Sequence, residues 1–367
     1  MSVATFPCSA CGAELEFKPG TRHLTCPYCR ADVEIPRREE DEVREVEYEE
    51  VLRQLGDKQE TDEVITVRCD SCRAEVPMAA NVTSQSCPFC GSNIVATGQS
   101  QRHVKPKAVL PFAVNRDRAR ELFRGWLAGR WFAPGKLRQF AAIDDARGTK
   151  GTGLQGIYLP YWTYDCRSTT GYDGQRGDDY FVQVPYTAMV NGKPMTRMRQ
   201  EVRTRWTPVS GSVENSFDDV LVPASSSLPR EQLDEVGTWD LKELAPYSDQ
   251  YLAGFTAESY TVDLPTGFGV ARQIMEGEIR ATVARDIGGD HQRITRMQPS
   301  FRNITFKHIL LPVWVAAYRY NNRVYRFLIN ARTGQIAGQR PYSAWKIAAL
   351  VIAAAFVVLA VILIASR

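Results

Sequence analysis

The stretch FPCSACGAELEFKPGTRHLTCPYCRADVEIP (residues 6–36) contains two Cys-x-x-Cys pairs with 14 residues between them. The tight turn inside each pair places two sulfur atoms on one side of the backbone, where both can bind the same ion. Four thiolates from two such turns form the tetrahedral ligand set that Zn²⁺ prefers. The stretch therefore predicts a zinc ribbon over residues 1–36, with the ligands Cys8, Cys11, Cys26 and Cys29.

The same pattern returns in VRCDSCRAEVPMAANVTSQSCPFCGSNIVATG (residues 67–98), again with 14 residues between the pairs. The two segments align without a gap, which indicates an internal duplication of one module. Modules of this size bury too little apolar surface to fold alone, so each metal is expected to be structural. We expect a second ribbon over residues 64–98 and a second zinc ion bound by Cys69, Cys72, Cys87 and Cys90.

Zinc is favoured over two other interpretations of these cysteines. Disulfide bonds would fit an oxidising compartment, and no N-terminal apolar stretch resembles a secretion signal. Iron bound as in rubredoxin shares the Cys-Pro-x-Cys-Gly pattern, but here the spacer of 14 residues is short and an aromatic shell is lacking. Four cysteines also close the coordination sphere, which leaves no position for a substrate.

The residue that follows each Cys-x-x-Cys pair predicts how well its turn is formed. Such a turn favours a positive φ after the second cysteine, which glycine adopts most readily. Gly12 and Gly91 occupy that place in one turn of each module, whereas Arg30 and Arg73 occupy it in the other. The two arginine turns are expected to be less ideal. His23 is interpreted as a surface residue rather than a metal ligand.

The segment between the ribbons, residues 37–63, is predicted to be a charged helical linker. Residues 37–60 contain ten acidic and five basic side chains. Apolar residues recur there at near-helical spacing, and Gly56 is a natural stop. A solvated spacer is favoured over an acidic binding tail.

Residues 104–340 are predicted to form a β-rich α+β domain. Two helices interrupt the strand pattern, one with Asn115 as its N-cap and one that stops at Gly288–Gly289. The segments IYLPYWTYD (residues 157–165) and ILLPVWVAAYRY (residues 309–320) resemble each other and hint at a second, weaker duplication.

Catalytic motifs are not found in the sequence, so an enzyme is not predicted. The acidic pairs Asp144–Asp145, Asp178–Asp179 and Asp218–Asp219 lie beside turn residues and have no companion motif. The chain has four histidines and no phosphate-binding loop. Cys166, the ninth cysteine, is expected to be a buried small residue rather than a nucleophile.

The last stretch, IAALVIAAAFVVLAVILIA (residues 347–365), carries no polar or charged side chain. A helix of this length spans about 28 Å, close to the thickness of a bilayer core. The sequence therefore predicts a transmembrane tail anchor over residues 345–366, with a buried core helix as the alternative. Basic residues before the span place the N-terminal body in the cytoplasm of a single-pass protein of the cell membrane.

An ordered set of motifs accompanies the cysteines: WFAP (131–134), YLPYW (158–162), FDDV (217–220), LAGF (252–255) and LLPVW (310–314). With the two ribbons and the apolar tail, this set resembles the bacterial membrane-anchored double zinc-ribbon proteins. That group is labelled as transcription-factor-IIB-type zinc ribbon or primosomal-helicase-like. The resemblance implies phage-shock-protein-A-like or SPFH (flotillin-like) stress proteins as partners. It does not imply helicase activity, because the chain lacks a Walker A motif.

The features combine into a functional expectation. A membrane-tethered zinc-binding adaptor or scaffold would recruit cytoplasmic proteins to the bilayer, in envelope stress according to the resemblance. The alternative is a nucleic-acid-binding zinc-ribbon protein held at the membrane. It is not favoured, because the net charge is only +3 and acidic and basic residues are mixed in the first ribbon.

Overall fold

The computed structural model describes most of the chain. The described residues are 6–36, 43–56, 61–69, 75–77, 84–86, 93–95, 99–128, 154–190, 193–320, 323–338, 352, 354–356, 358 and 361.

The chain forms many short strands, a few helices and three very long strands. In chain order they are β1 (Glu16–Phe17), β2 (His23–Thr25), β3 (Asp32–Glu34), β4 (Val46–Glu47), α1 (Tyr48–Gly56), β5 (Thr61–Arg68), β6 (Glu75–Pro77), β7 (Ser84–Ser86), β8 (Asn93–Val95), β9 (Gln99–Val104), β10 (Ala108–Val109), α2 (Arg116–Ala128), β11 (Gln155–Val190), β12 (Lys193–Pro223), α3 (Arg230–Glu235), β13 (Ala245–Pro246), β14 (Thr256–Ala257), α4 (Leu264–Ile287), β15 (His291–Tyr320), β16 (Arg323–Asn330) and β17 (Ile336–Gly338). Short 3₁₀ turns cover Leu241–Glu243 and Asp249–Leu252.

A large sheet organises the fold, with the strand order β12-β11-β15-β10-β13. Strands β4, β14, β16 and β17 pair onto this path. A typical strand has about six residues. Strands β11, β12 and β15 contain 36, 31 and 30 residues. Strands of this length reach beyond the domain core, so one end of the sheet projects from the body.

Helix α4 packs against one face of this sheet, as its apolar stripe predicts. Ala271, Met275, Ile279 and Val283 are fully buried in one cluster with Tyr164 of β11. The helix stops where φ turns positive, at the predicted Gly288–Gly289 pair. The prediction of this helix and of its end is confirmed.

Two more helical predictions are confirmed by local contacts. The Asn115 side chain accepts a hydrogen bond from the Arg118 backbone N–H at 2.8 Å, which caps the start of α2. Helix α1 ends at Gly56. The two similar segments lie side by side, because β11 and β15 pair antiparallel with Leu159 opposite Leu311.

The acidic pair Asp178–Asp179 lies within β11, opposite Arg205 and Thr204 of β12. The prediction that it sits beside a turn is therefore wrong. Glycines at three nearby positions gave the sequence a turn-like composition, but a long partner strand overrides it by supplying a complete hydrogen-bond ladder.

The first ribbon shares a hydrophobic core with the large domain. The Phe17 ring lies 5.3 Å from the Tyr251 ring, and the Phe17 backbone N–H donates to the Ala253 carbonyl at 3.0 Å. The Gly20 N–H donates to the Phe112 carbonyl at 2.8 Å. Strands β1, β2 and β3 are thus held against the sheet by both side-chain packing and backbone hydrogen bonds.

In the described part of the chain, no helix has the length and apolar character needed to cross a membrane. This finding contradicts the predicted transmembrane helix over residues 345–366. It also contradicts the predicted single-pass location in the cell membrane and the bilayer contact through residues 347–365. The prediction relied on apolar length in the sequence alone. The described residues of that stretch, 352, 354–356, 358 and 361, are helical; the others lie outside the described residues.

Candidate metal centre

Four cysteine sulfurs converge at one end of the first ribbon. The Sγ atoms of Cys8 and Cys29 are 3.5 Å apart, and those of Cys11 and Cys26 are also 3.5 Å apart. All four sulfurs lie within 4.8 Å of one another, so the group could hold a metal ion. The first predicted ligand set is therefore brought together as the sequence pattern requires.

The two Cys-x-x-Cys turns have the same backbone geometry. The Gly12 N–H donates to the Cys8 carbonyl at 2.8 Å, and the Arg30 N–H donates to the Cys26 carbonyl at 3.0 Å. Gly12 has φ +76° and Arg30 has φ +61°. The second value confirms that an arginine is placed in the left-handed region, where a side chain costs about 1–2 kcal/mol.

Backbone donors around the sulfurs favour thiolate at two of the four positions. The Cys29 N–H is the main group that lowers the pKa of Cys26, which falls to about 6. The N–H groups of Ala10 and Cys11 lower the pKa of Cys8. These N–H groups supply the positive dipoles that a cluster of thiolates needs.

The pKa of Cys29 moves in the opposite direction, to about 12. The Ala31 N–H lowers it, but the three neighbouring sulfurs together raise it by more. Four adjacent thiols cannot all ionise without a cation among them, because each new thiolate repels the others. The charge pattern of the site therefore matches the requirement for a bound cation.

Burial divides the site into an inner and an outer half. Cys8 and Cys26 are buried, whereas Cys11 and Cys29 are exposed at the rim. Leu15, Leu24 and Ile35 lie in the same core cluster as the inner pair. His23 lies in β2 opposite Glu34 and is not among the four clustered ligands.

The second module is described only in part. Cys69 is buried and follows β5, while Cys72, Cys87 and Cys90 lie outside the described residues. Within the described ranges, one four-cysteine group is present. The second site stays a prediction based on the duplication.

Cys166 is buried at 3.5 Å from the sulfur of Met275, as expected for a small core residue. Burial raises its pKa to about 11, so the thiol is not activated as a nucleophile.

A cluster of charges that the sequence did not predict surrounds Lys307 of β15. Its Nζ lies 2.7 Å from Asp219, 3.3 Å from Glu45 and 3.8 Å from Asp165. Only 9% of the lysine side chain is exposed. Oxygens of Glu45, Asp165 and Asp218 lie within 4.8 Å of one another. The ammonium group of Lys307 already provides a cation in this cluster, which joins the linker to the sheet.

The pKa values of this cluster are shifted by burial and by its own charges. Desolvation is the main cause that raises the pKa of Asp165 to about 7. The pKa of Lys307 is raised: desolvation lowers it, but the neighbouring carboxylates raise it by more. No spacing rule links positions 45, 165, 219 and 307, because they meet only through the pairing of β4 and β11 with β15 and of β12 with β11. The sequence pattern alone therefore could not reveal the cluster.

A groove of about 900 Å³ separates the first ribbon from the edge strand β13. Its walls combine aromatic side chains with charges of both signs. They include Arg22 of the ribbon and Phe112, Glu243, Tyr247, Asp249 and Arg332 of the large domain.

Comparisons with known proteins give one distant relative and no family. The chain is 24% identical, over 355 residues, to a Bacillus subtilis (strain 168) protein described as "Uncharacterized protein YdjG"; the match covers 95% of this chain and 93% of the relative. No family model matches the chain. No solved structure matches it.

Proposed function

We propose that the four-cysteine group of the first ribbon holds one structural Zn²⁺ ion. Tetrahedral zinc with Zn–S bonds of about 2.3 Å places neighbouring sulfurs about 3.8 Å apart. The two closest sulfur pairs, at 3.5 Å, and the 4.8 Å limit on the whole group fit this requirement. Four thiolates leave no open position, so the ion would stabilise the ribbon and would not act on a substrate.

A second zinc ion is proposed for the second module. Support comes from the gap-free match between the modules and the identical cysteine spacing. The two sites share no ligand, so each would load independently.

The wider proposal is that the chain is a zinc-dependent adaptor that binds another protein. The observation that carries it is the groove between the ribbon and β13, since the metal-stabilised ribbon forms one of its walls. Its volume of about 900 Å³ is enough to hold several side chains of a bound segment. Tyrosines beside paired charges suit a polypeptide segment, which offers apolar side chains and hydrogen-bonding backbone together.

The charge of the ribbon supports a protein partner over nucleic acid. Lys18 forms an ion pair with Asp32 at 3.2 Å, and Asp32 also accepts a hydrogen bond from Thr25. A lysine paired in this way is poorly placed to neutralise a phosphate. The groove also carries the Asp249 carboxylate, which would repel a phosphate backbone, while Glu243 is paired with Arg332.

The metal part of the proposal is tested by elemental analysis of the purified full chain. Two zinc ions per chain are expected. Cys26→Ser should remove one ion, and Cys166→Ser, which changes the thiol outside both modules, should remove none. Iron in place of zinc, or unchanged zinc in Cys26→Ser, would contradict the proposal.

The adaptor part is tested by affinity capture with three forms of the full chain. Tyr247→Ala changes the groove, and Tyr28→Ala changes a ribbon tyrosine that is 81% exposed and does not line it. A protein captured by wild type and by Tyr28→Ala, but lost from Tyr247→Ala, is the expected result. Capture of nucleic acid without a reproducible protein, together with a gel shift at physiological salt, would replace the adaptor role with nucleic-acid binding.

A further inference from the structure

The longest strands of the sheet continue into an arm. Strand β15 begins at His291, opposite Gly177 of β11. From Asp178 to Val190, β11 pairs only with β12 among the described strands. This two-stranded segment, residues 178–190 and 193–205, is called the arm here. At about 3.4 Å per residue its strands extend roughly 40 Å past the end of β15.

The two faces of the arm differ sharply in chemistry. Alternate residues of a strand share a face, and directly opposed residues of paired strands lie on the same face. One face, called the basic face, carries Tyr180, Val182, Val184 and Tyr186 opposite Arg203, Glu201, Arg199 and Arg197. On the other face, Asp179 pairs with Thr204 at the base of the arm and its carboxylate hydrogen-bonds Thr204 and His291. Beyond that row the face has no charge and is called the uncharged face; it carries Phe181, Gln183, Pro185, Thr187 and Met189 opposite Val202, Gln200, Met198, Thr196 and Pro194.

Large apolar side chains on the uncharged face are open to solvent. Phe181 is 67% exposed, Met189 is 69% exposed, Met198 is 58% exposed and Val202 is 54% exposed. On the basic face Tyr180, Tyr186 and Met195 are also exposed, at 38%, 40% and 51%, but there they alternate with charged side chains, and Val182 and Val184 are half-buried. Single apolar residues on a surface are common and need no explanation, but four large ones on one face of a narrow arm form a patch that indicates a contact site.

The order of residues along the uncharged face is symmetric about its middle row. From Phe181 to the tip of the arm the cross-strand rows are apolar, polar, apolar, polar and apolar. The central row is Pro185 with Met198. A two-fold axis along this row places apolar rows on apolar rows and the glutamine row on the threonine row.

We propose that the uncharged face of the arm binds the same face of a second copy of this chain, with the two arms antiparallel. Phe181 then packs against Met189 of the second copy, and Met198 packs against its own counterpart on the axis. The glutamine row can hydrogen-bond the threonine row, since amide and hydroxyl groups both donate and accept. Methionine side chains adapt well to such a contact, because they are flexible and polarisable.

The absence of charged side chains on the uncharged face favours a second copy of the chain as the occupant. The uncharged face brings no charge to the contact, so two copies meet there without repulsion. Self-association through the basic face would place arginines against arginines. In the antiparallel pair the basic faces of both arms point away from each other.

The size of the contact sets its strength. The uncharged face is about 10 Å wide and 30 Å long, so it offers roughly 300 Å² per copy, or about 600 Å² in total. This is below the roughly 1,200–2,000 Å² of stable interfaces, so the dimer is reversible and its population rises with concentration. The inference does not depend on the adaptor role, because the arm and the groove are different surfaces.

Sedimentation velocity of the full zinc-loaded chain, from low to high micromolar concentration, tests the proposal. Wild type should shift from monomer to dimer as the concentration rises. Met198→Thr and Phe181→Thr should each raise the dimer Kd at least about tenfold. Threonine keeps strand propensity, and neither side chain is in the core, so folding is preserved. Arg199→Thr, at the neighbouring position on the basic face, should leave the Kd unchanged.

A photo-crosslinking residue placed at position 181 or 198 tests the arrangement. Position 181 should crosslink to the second copy near Met189, and position 198 to the second copy near Met198. A monomer at every concentration would overturn the proposal. So would a dimer that Met198→Thr leaves intact, or crosslinks from position 181 to the same position of the second copy.

Discussion

Lys307 and Asp219 form the shortest ion pair of a partly buried cluster, with 2.7 Å between the lysine Nζ and the carboxylate. Asp219 has φ +53°, a backbone conformation that a non-glycine residue adopts at a cost. This conformation occurs at a bulge of β12, where Asp218 and Asp219 together lie opposite Asp165 of β11. The bulge and the left-handed residue together bring Asp165 and Asp219 to the same lysine, and the Asp219 N–H also donates to the Asp165 carboxylate.

The first prediction concerns the removal of the cation from this cluster. Lys307→Met should lower the free energy of unfolding by about 3–5 kcal/mol, because it leaves carboxylates close together without a partner. Urea unfolding of the full chain measures the change. Lys18→Met is the matched control: its ion pair with Asp32 is about half exposed, so it should cost about 0–1 kcal/mol. Equal effects of the two substitutions would show that the cluster is not buried as described.

The second prediction is a pH dependence that originates at Asp165. Its pKa is raised in the folded chain to about 7, from an ordinary 3.8. The folded state therefore holds this proton more tightly. That contribution to stability is complete below pH 3.8 and is lost as the pH rises through 7. Asp165→Asn cannot titrate, so the stability of this variant should decline less between about pH 4 and 7, the interval between the two pKa values.

Thermal melts at several pH values in that window check this prediction. The other groups of the cluster do not titrate there in the same sense: the pKa of Glu45 is lowered from 4.5, and that of Lys307 is raised from 10.5. Asp173→Asn, at an exposed carboxylate of the same strand outside the cluster, should leave the change of melting temperature with pH as in the wild type. If the melting temperatures of wild type and Asp165→Asn change with pH by the same amount, the assignment to Asp165 is refuted.

The third prediction concerns the two turns of the first ribbon. Arg30→Gly should stabilise the zinc-loaded chain by about 1 kcal/mol, because Arg30 has φ +61° and glycine adopts that conformation without a side-chain clash. Gly12→Ala should destabilise it by about 1–2 kcal/mol. A Cβ at Gly12 would meet no atom within 4 Å, so the loss would report backbone conformation alone. Denaturant unfolding, followed by a spectroscopic signal from the ribbon, should show a higher free energy of unfolding for Arg30→Gly and a lower one for Gly12→Ala. A lower value for Arg30→Gly would contradict the argument.

Much of the local structure could be predicted from the sequence because its causes are local. The Cys-x-x-Cys turns, the Asn115 cap and the end of α4 at Gly288 each depend on residues a few positions apart. The length of β11 could not be predicted, since Asp178–Asp179 beside glycines resembles a turn until a partner strand is known. The apolar residues 347–365 gave a strong pattern, yet the described helices do not bear out a span.

The functional residues, too, could be predicted only where they are close to one another in the sequence. The ligands of the first ribbon are close in sequence, and their spacing alone identified Cys8, Cys11, Cys26 and Cys29. The Lys307 cluster depends on a strand pairing between residues more than 200 positions apart, which no motif encodes. The packing of Phe17 against Tyr251 was missed for the same reason, and with it the fact that the ribbon shares the core of the large domain.

The last prediction concerns loss of the metal from the first ribbon. Cys26→Ser should remove one zinc ion and unfold the ribbon, because modules of this size depend on their metal for folding. The effect should reach the large domain, since Phe17 packs on Tyr251 and its N–H bonds the Ala253 carbonyl. Hydrogen exchange should therefore quicken in residues 249–257, far from the cysteines in sequence. Cys166→Ser, a change of a buried thiol outside the ribbon, should keep the metal and leave exchange in residues 249–257 slow. A ribbon that is only tethered to the domain would lose its own protection in Cys26→Ser while residues 249–257 stayed protected, and that outcome would refute the shared core.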